Sequence, residues 1–252
     1  MFLYENLLRR FTVMAKDGEV GKIDDFYFED EKWTVRYIVV NTIPWFPGGK
    51  VLLSPISVEK VNIEDEIIYV ELTKEQVKNS PDIDFARPVS KQMELDYHHY
   101  FGYPYYWSPL GVWGHGSYAR DLATLSSDYE KEYVDTEVNH HLRSVKEITG
   151  AVTGYGIFAL DDEFGQVKDM IIEDKTWTIR YFMVDTVKWL PSRNVIIAKD
   201  WIEEINWSAK HVRVNITKDE VKNSPEFFPD QPIDRKYEKD IYDFYRRKNY
   251  WE

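Results

Sequence analysis

Between residues 17 and 84 the apolar positions come in short runs cut apart by turn residues, a pattern of strands and not of long helices. The dipeptide Asp17-Gly18 is a turn signal. After it Val20, Phe26 and Phe28 share one parity, while Ile23 and Tyr27 take the other. Trp33–Val40 is apolar on both parities and rich in β-branched and aromatic residues, so it predicts a central strand covered on both faces. Pro47-Gly48-Gly49 breaks the chain before a run at Lys50–Leu53, and Glu66–Leu72 supplies a further strand. Five or six strands in about 70 residues suit a small barrel, in which closure removes exposed edges. Thr73-x-x-Gln76 fits a capping box, so a helical turn is expected next, ended by Pro81.

The same pattern returns at a fixed offset. Residues 17–84 align with 161–228 without a gap, and 25 of the 68 positions are identical. Trp33-Thr34-Val35-Arg36-Tyr37 matches Trp177-Thr178-Ile179-Arg180-Tyr181, with Trp45 matching Trp189 further on. Val77-Lys78-Asn79-Ser80-Pro81 recurs as Val221-Lys222-Asn223-Ser224-Pro225, behind a second capping box at Thr217-x-x-Glu220. The register continues into two aromatic, charged segments, Ser90–Phe101 and Asp234–Tyr245. A duplication of this kind fixes the architecture: a mainly β chain with short helices, made of two tandem small antiparallel barrels. The expected division is a first barrel at 1–88, a helix and aromatic-rich linker at 89–141, a second barrel at 142–230 and a C-terminal helix at 231–252.

Composition narrows the chemistry. With 43% hydrophobic and 16% aromatic residues the chain can bury cores and is not a disordered acidic polymer. A formal net charge of −12 repels phosphate backbones and anionic lipid, so nucleic acid is not an expected partner. The absence of cysteine removes disulfides, thiolate nucleophiles, iron–sulfur clusters and most structural zinc sites, and fits a reducing cytoplasm. No charged leader opens the sequence, and no run approaches the roughly 20 apolar residues that span a bilayer, so a soluble, cytoplasmic protein without an integral membrane segment is expected.

Candidate chemistry is sparse. His98-His99 and His140-His141 are adjacent pairs, which point in different directions on a helix and read as surface residues. A metal site would need His98 or His99, His115 and His140 or His141 to converge, with Asp96 or Glu137 completing it. Glu29-Asp30-Glu31 reads as a solvated hairpin turn, because its spacing lacks the alternating ligands of a calcium loop. Arg36 and Arg180 sit mid-strand beside Trp and Tyr, where the stem packs on rings and the head pairs with a carboxylate such as Asp25 or Asp169. The segment Tyr97–Trp113 holds five Tyr, one Phe and two Trp in 17 residues. It reads either as internal packing or as a partner surface of Tyr100, Tyr103, Tyr105, Tyr106, Trp107 and Trp113. Trp107 is expected to be buried, and Trp113, set among glycines, to be exposed. Arg246-Arg247-Lys248 reads as a solvated helix end. No catalytic residues, metal or cofactor are expected.

These motifs resemble the PRC-barrel family, named for the cytoplasmic domain of the photosynthetic reaction centre H subunit. The resemblance rests on Ala15-x-Asp17-Gly18-x-x-Gly21-x-x-x-Asp25, on Trp33 through Pro55 and on Thr73–Pro81, with Leu142-Arg143-Ser144 resembling the lead-in to a second barrel. Trp33, Arg36, Tyr37 and Trp45, with Trp177, Arg180, Tyr181 and Trp189, are its structural motif residues here. Copy two departs from the family at Pro191-Ser192 and Ala198-Lys199. The resemblance implies a non-enzymatic scaffold for an unidentified protein partner, compatible with homo-oligomers and with a place beside a membrane redox assembly. The alternative is a small-molecule or metal-binding module with its site at the barrel–barrel interface. Fold alone does not choose between them.

Overall fold

The structure, a computed structural model, describes residues 1–42, 49–85, 87–107, 111–125, 141–150, 154–186 and 193–252. Trp45, Trp189, Pro47, Pro191, Glu137 and His140 lie outside the described residues. The chain divides into two compact units. The first comprises Met1, Leu3–Val145 and Glu173–Thr178, and the second Phe2, Lys146–Ile172 and Ile179–Glu252.

Strand β1 (Phe2–Tyr4) and the helical turn α1 (Glu5–Leu8) precede the sheet of the first unit. That sheet is built of β2 (Thr12–Ala15), β3 (Gly18–Glu29), β4 (Thr34–Asn41), β5 (Lys50–Leu53), β6 (Val58–Asn62) and β7 (Ile67–Val70). The order is β5-β4-β3-β2-β7-β6, and β8 (Leu142–Ser144) pairs with β3 off this path. Every pairing is antiparallel except β2 with β7. The helices are α2 (Lys74–Lys78), α3 (Lys91–Phe101) and α4 (Ala119–Thr124). As the two-parity pattern predicts, β4 is buried along its length except at Asn41. Trp33 falls outside that strand, in the turn before it.

The second unit begins at α5 (Val145–Thr149), whose first residue belongs to the first unit. Its strands are β9 (Gly156–Phe158), β10 (Glu163–Glu173), β11 (Ile179–Asp185), β12 (Asn194–Ala198), β13 (Ile202–Asn206) and β14 (His211–Val214). The order β12-β11-β10-β9-β14-β13 repeats that of the first unit, including one parallel pair, here β9 with β14. Helix α6 (Lys218–Asn223) follows, then α7 (Arg235–Phe244), and residues 245–252 continue as turns where the sequence suggested helix.

The duplication reaches the backbone. Trp33 and Trp177 both adopt φ of 56°, and Glu66 and Lys210 both adopt 54°, so four non-glycine turn residues sit in the left-handed region at repeat-equivalent places. Both capping boxes form, at Thr73 with Gln76 and at Thr217 with Glu220. Asp17 accepts from the Lys74 amide at 2.8 Å, and Asp161 from the Lys218 amide at 2.9 Å, tying each helix to the turn at the start of its long strand. A Cβ on Gly21 would lie 2.0 Å from the Asn41 carbonyl oxygen, and one on Gly165 2.3 Å from that of Asp185. Backbone blocks both positions, so Gly21→Ala and Gly165→Ala are each expected to destabilise their own unit by about 3 kcal/mol. Urea melts of the two variants check this; a midpoint unchanged in either would show that the strand pair can separate there.

Candidate functional site

The most concentrated polar chemistry of the first unit lies under α3. Ser90 caps this helix by accepting from the Met93 amide, and Gly102 ends it with φ of 66°, a left-handed conformation that glycine adopts without strain. The chain then doubles back through Tyr103–Trp107. Glu94, on the helix, and Tyr106, after the turn, meet Tyr37 of β4. The Tyr37 hydroxyl donates to Glu94 Oε2 at 3.1 Å, and the Tyr106 hydroxyl donates to the same oxygen. All three side chains are buried. Burial, then the Glu94 charge, pushes both phenols well above their usual range, which keeps them neutral donors. On the same helix the Tyr97 hydroxyl accepts from the Ser54 amide at 2.8 Å.

Arg36 closes the network. It is 1% exposed, pairs with Glu29 Oε2 at 3.0 Å and donates to the Val112 carbonyl at 2.8 Å. Its guanidinium lies 4.1 Å from the Tyr106 ring centre and 4.7 Å from that of Trp113, a cation between two aromatic faces. Glu29 also accepts the amides of Glu31 and Lys32. The expected Arg36 carboxylate was Asp25, but Asp25 instead accepts from Ser144 Oγ and the Phe26 amide. The acidic run is correspondingly not all solvated: its first member, Glu29, is buried as the arginine's partner.

Two further expectations are corrected. His98 is not a surface residue: it is 0% exposed, with its ring among Tyr103, Tyr105, Tyr106 and Trp107. Its Nδ1 faces the Pro104 carbonyl at 2.9 Å, so that nitrogen carries the proton, and Nε2 is a buried acceptor with no hydrogen-bond partner among the described residues. Burial lowers its pKa to about 4, against the opposing pull of the Glu94 charge. Trp113 is likewise not exposed. It is 0% exposed and donates from Nε1 to the Thr176 carbonyl at 2.7 Å, within the first unit. Trp107 is 6% exposed, and Lys91 Nζ lies 3.2 Å from its ring centre. His99, His115 and His141 are exposed, and among the described residues no three His, Asp or Glu side chains come together as a metal-binding group. Of the aromatic segment, Tyr106, Trp107 and Trp113 are internal, Tyr103 and Tyr105 half-buried, and Tyr100 is 40% exposed.

The second unit repeats the cluster. Glu238 on α7 accepts from the Tyr181 hydroxyl at 2.6 Å and from the Tyr250 hydroxyl at 2.9 Å. Arg180 lies 4.3 Å from the Tyr250 ring centre, and Arg235 lies 4.2 Å from that of Trp251. These residues correspond one to one with Glu94, Tyr37, Tyr106, Arg36, Lys91 and Trp107. The duplication therefore extends to Tyr106-Trp107 and Tyr250-Trp251, well past the segment read from the strands. The signal was present as the recurrence of Glu and of Tyr-Trp at the same offset.

A second feature of the first unit is a groove of about 680 Å³ beside β6, bounded by Pro55, Val58, Val61, Tyr118, Arg120 and Trp177. Arg120 spans its edge, paired with Glu71 at 2.6 Å and donating to the Val58 carbonyl at 3.2 Å. Among the described residues no helix is long and apolar enough to cross a membrane.

This geometry defines a class: a repeated, mainly β protein whose two sheets share one topology, each carrying an aromatic and charged arm. Residues 2–77 match the model of the PRC-barrel domain family. A Deinococcus radiodurans protein described as uncharacterized is 32% identical over 97 residues, a stretch that is 38% of this chain and 34% of that relative. The similarity thus spans about a third of the relative's length.

Proposed function

We propose that the chain is a non-enzymatic cytoplasmic adaptor in which both units are PRC barrels, joined by the 89–141 segment and holding a protein partner. The second unit's identical strand order and its repeated cluster support reading it as a barrel of the same kind. The observation that carries the interaction role is the groove beside β6. This strand ends the sheet path, so its outer backbone borders the groove, and an extended segment of a partner can add to such an edge. Arg120 occupies the Val58 end and a bulge separates Val58 from Lys60, which leaves Lys60–Asn62 as the pairing stretch. Tyr118, 43% exposed, and Val61 supply apolar contact beside it. Tyr100, Tyr103 and Tyr105 form the accessible part of the aromatic surface, while Tyr106, Trp107 and Trp113 hold it in place.

The test is capture of partners from native cell extract by the wild type and by Val61→Glu and Tyr118→Ala, followed by binding measurements with the purified partner. Each variant is expected to weaken binding by about tenfold or more, the loss of an interface anchor, with unchanged urea midpoints. A partner that binds both variants as well as the wild type would remove the groove from the reading.

A further inference from the structure

We propose that the Arg180–Tyr181 face of the second unit is an exchangeable receptor for an aromatic arm, and that its partner is residues 235–251 of a second copy of this chain. The proposal is independent of the β6 groove. It rests on a comparison of two solutions to one recognition problem. In each unit a helix brings in a cation and a glutamate, and a Tyr-Trp pair follows. The barrel supplies a tyrosine that donates to the glutamate and an arginine that stacks on the arm's tyrosine. All the arm's recognition groups, Arg235, Glu238, Tyr250 and Trp251, lie within one continuous segment, so the arm carries its specificity with it wherever it docks.

The two solutions differ in depth. In the first unit Arg36, Tyr106 and Trp107 are buried, and Trp113 adds a second aromatic wall over the guanidinium. In the second unit Arg180, Tyr250 and Trp251 all keep part of their surface in water. Fewer desolvated anchors mean a faster release, because burial of such groups sets dissociation more than association. The joining segment also permits release. Residues 228–232 are exposed and contain Pro229 and Pro232, and a cavity of about 190 Å³ lies against Phe228, Gln231, Pro232 and Tyr237. The barrel side of this hinge is anchored at Phe227, which is buried and donates its amide to the Asn194 carbonyl at 2.9 Å.

Exchange between copies recreates the same contacts that the arm makes on its own barrel, so the contacts cancel and the balance is set by the tether. A short flexible tether holds its arm at an effective concentration on the order of millimolar, and a proline-stiffened one reaches fewer docking geometries and gives less. Exchanged dimers therefore become populated as chain concentration climbs toward that value.

The chain has no cysteine, so Lys248→Cys on the arm and Lys222→Cys on α6 provide unique labelling positions. Donor-labelled Lys248→Cys chains are mixed with acceptor-labelled Lys222→Cys chains, and energy transfer between them is followed against concentration. Transfer is expected to be negligible near about 1 µM and substantial by about 0.5 mM, within the range set by the tether. Because the contacts cancel, the balance is tested through the tether: deleting residues 229–231, so that the arm no longer spans back to its own barrel, is expected to lower the concentration of half-maximal transfer by about tenfold or more. Excess synthetic peptide spanning 233–252 should compete it away from intact chains, a readout independent of whether the deletion variant folds. No transfer at about 0.5 mM, a concentration dependence that the tether deletion leaves unchanged, or transfer indifferent to the peptide would each overturn the proposal.

Discussion

Arg36→Ala is expected to destabilise the first unit by about 3–5 kcal/mol, whereas Arg180→Ala costs the second unit only about 1 kcal/mol. The two arginines are sequence equivalents, so the difference comes from environment alone. Removing Arg36 leaves the Glu29 carboxylate buried with no cation, takes the donor from the Val112 carbonyl and empties the space between Tyr106 and Trp113. Arg180 is partly hydrated and stacks on Tyr250, so water takes over much of the solvation of the groups that its truncation leaves behind. Equilibrium urea melts of both variants decide the matter, and equal shifts would refute the assignment of Glu29 as an obligate partner. Adding Glu29→Gln to Arg36→Ala should recover part of the loss, because the orphaned charge disappears.

Acid should weaken the first unit through His98. In the unfolded chain its imidazole takes up a proton near 6.5, and in the folded chain only near 4. Between those values the unfolded state binds more protons. The contribution is therefore complete above about pH 6.5 and is lost progressively as pH falls to about 4, by about 3 kcal/mol in all. The groups facing the ring explain the sign. Tyr103, Tyr105, Tyr106 and Trp107 exclude water, the Pro104 carbonyl accepts from Nδ1, and Nε2 meets no acceptor among the described residues for a second proton. Glu94 and Lys91 on the same helix exert smaller opposing effects. His98→Phe should flatten the dependence between pH 6.5 and 4 relative to wild type, while carboxylate titrations common to both chains cancel. Parallel pH profiles for the two would show that His98 is reached by solvent. Tyr242 stands at the corresponding position of the second unit, and its phenol, pushed up by burial, takes no part in titration between pH 4 and 6.5.

The barrels were legible in the sequence because strand periodicity and turn chemistry are local, and because duplication displays the same local rules twice. The two-parity run at β4, both capping boxes and both proline stops are such cases. The arms were read only in part. Nothing local to the sequence marks Glu94, whose burial depends on Tyr37, 57 residues away, and on a chain reversal at Gly102. His98 and Trp113 were misplaced for a related reason: adjacency to another histidine or to glycines describes the chain, whereas burial is decided by what folds over it. Glu29 shows the same limit in one turn, where a charge that should favour water is instead fixed by an arginine seven residues on.

Tyr37 and Glu94 are separated by 57 residues, and so are Tyr181 and Glu238. As the chain leaves the ribosome, each barrel tyrosine is therefore made well before the glutamate that completes it, after every strand of the barrel's main sheet path has already emerged. Each hydroxyl must keep its water until its arm arrives. Because the two loops to be closed are equal in length, their closure entropies match. Any difference in the timing of the two docking events then reports the chemistry of the arms themselves, with chain topology held constant by the molecule's own duplication.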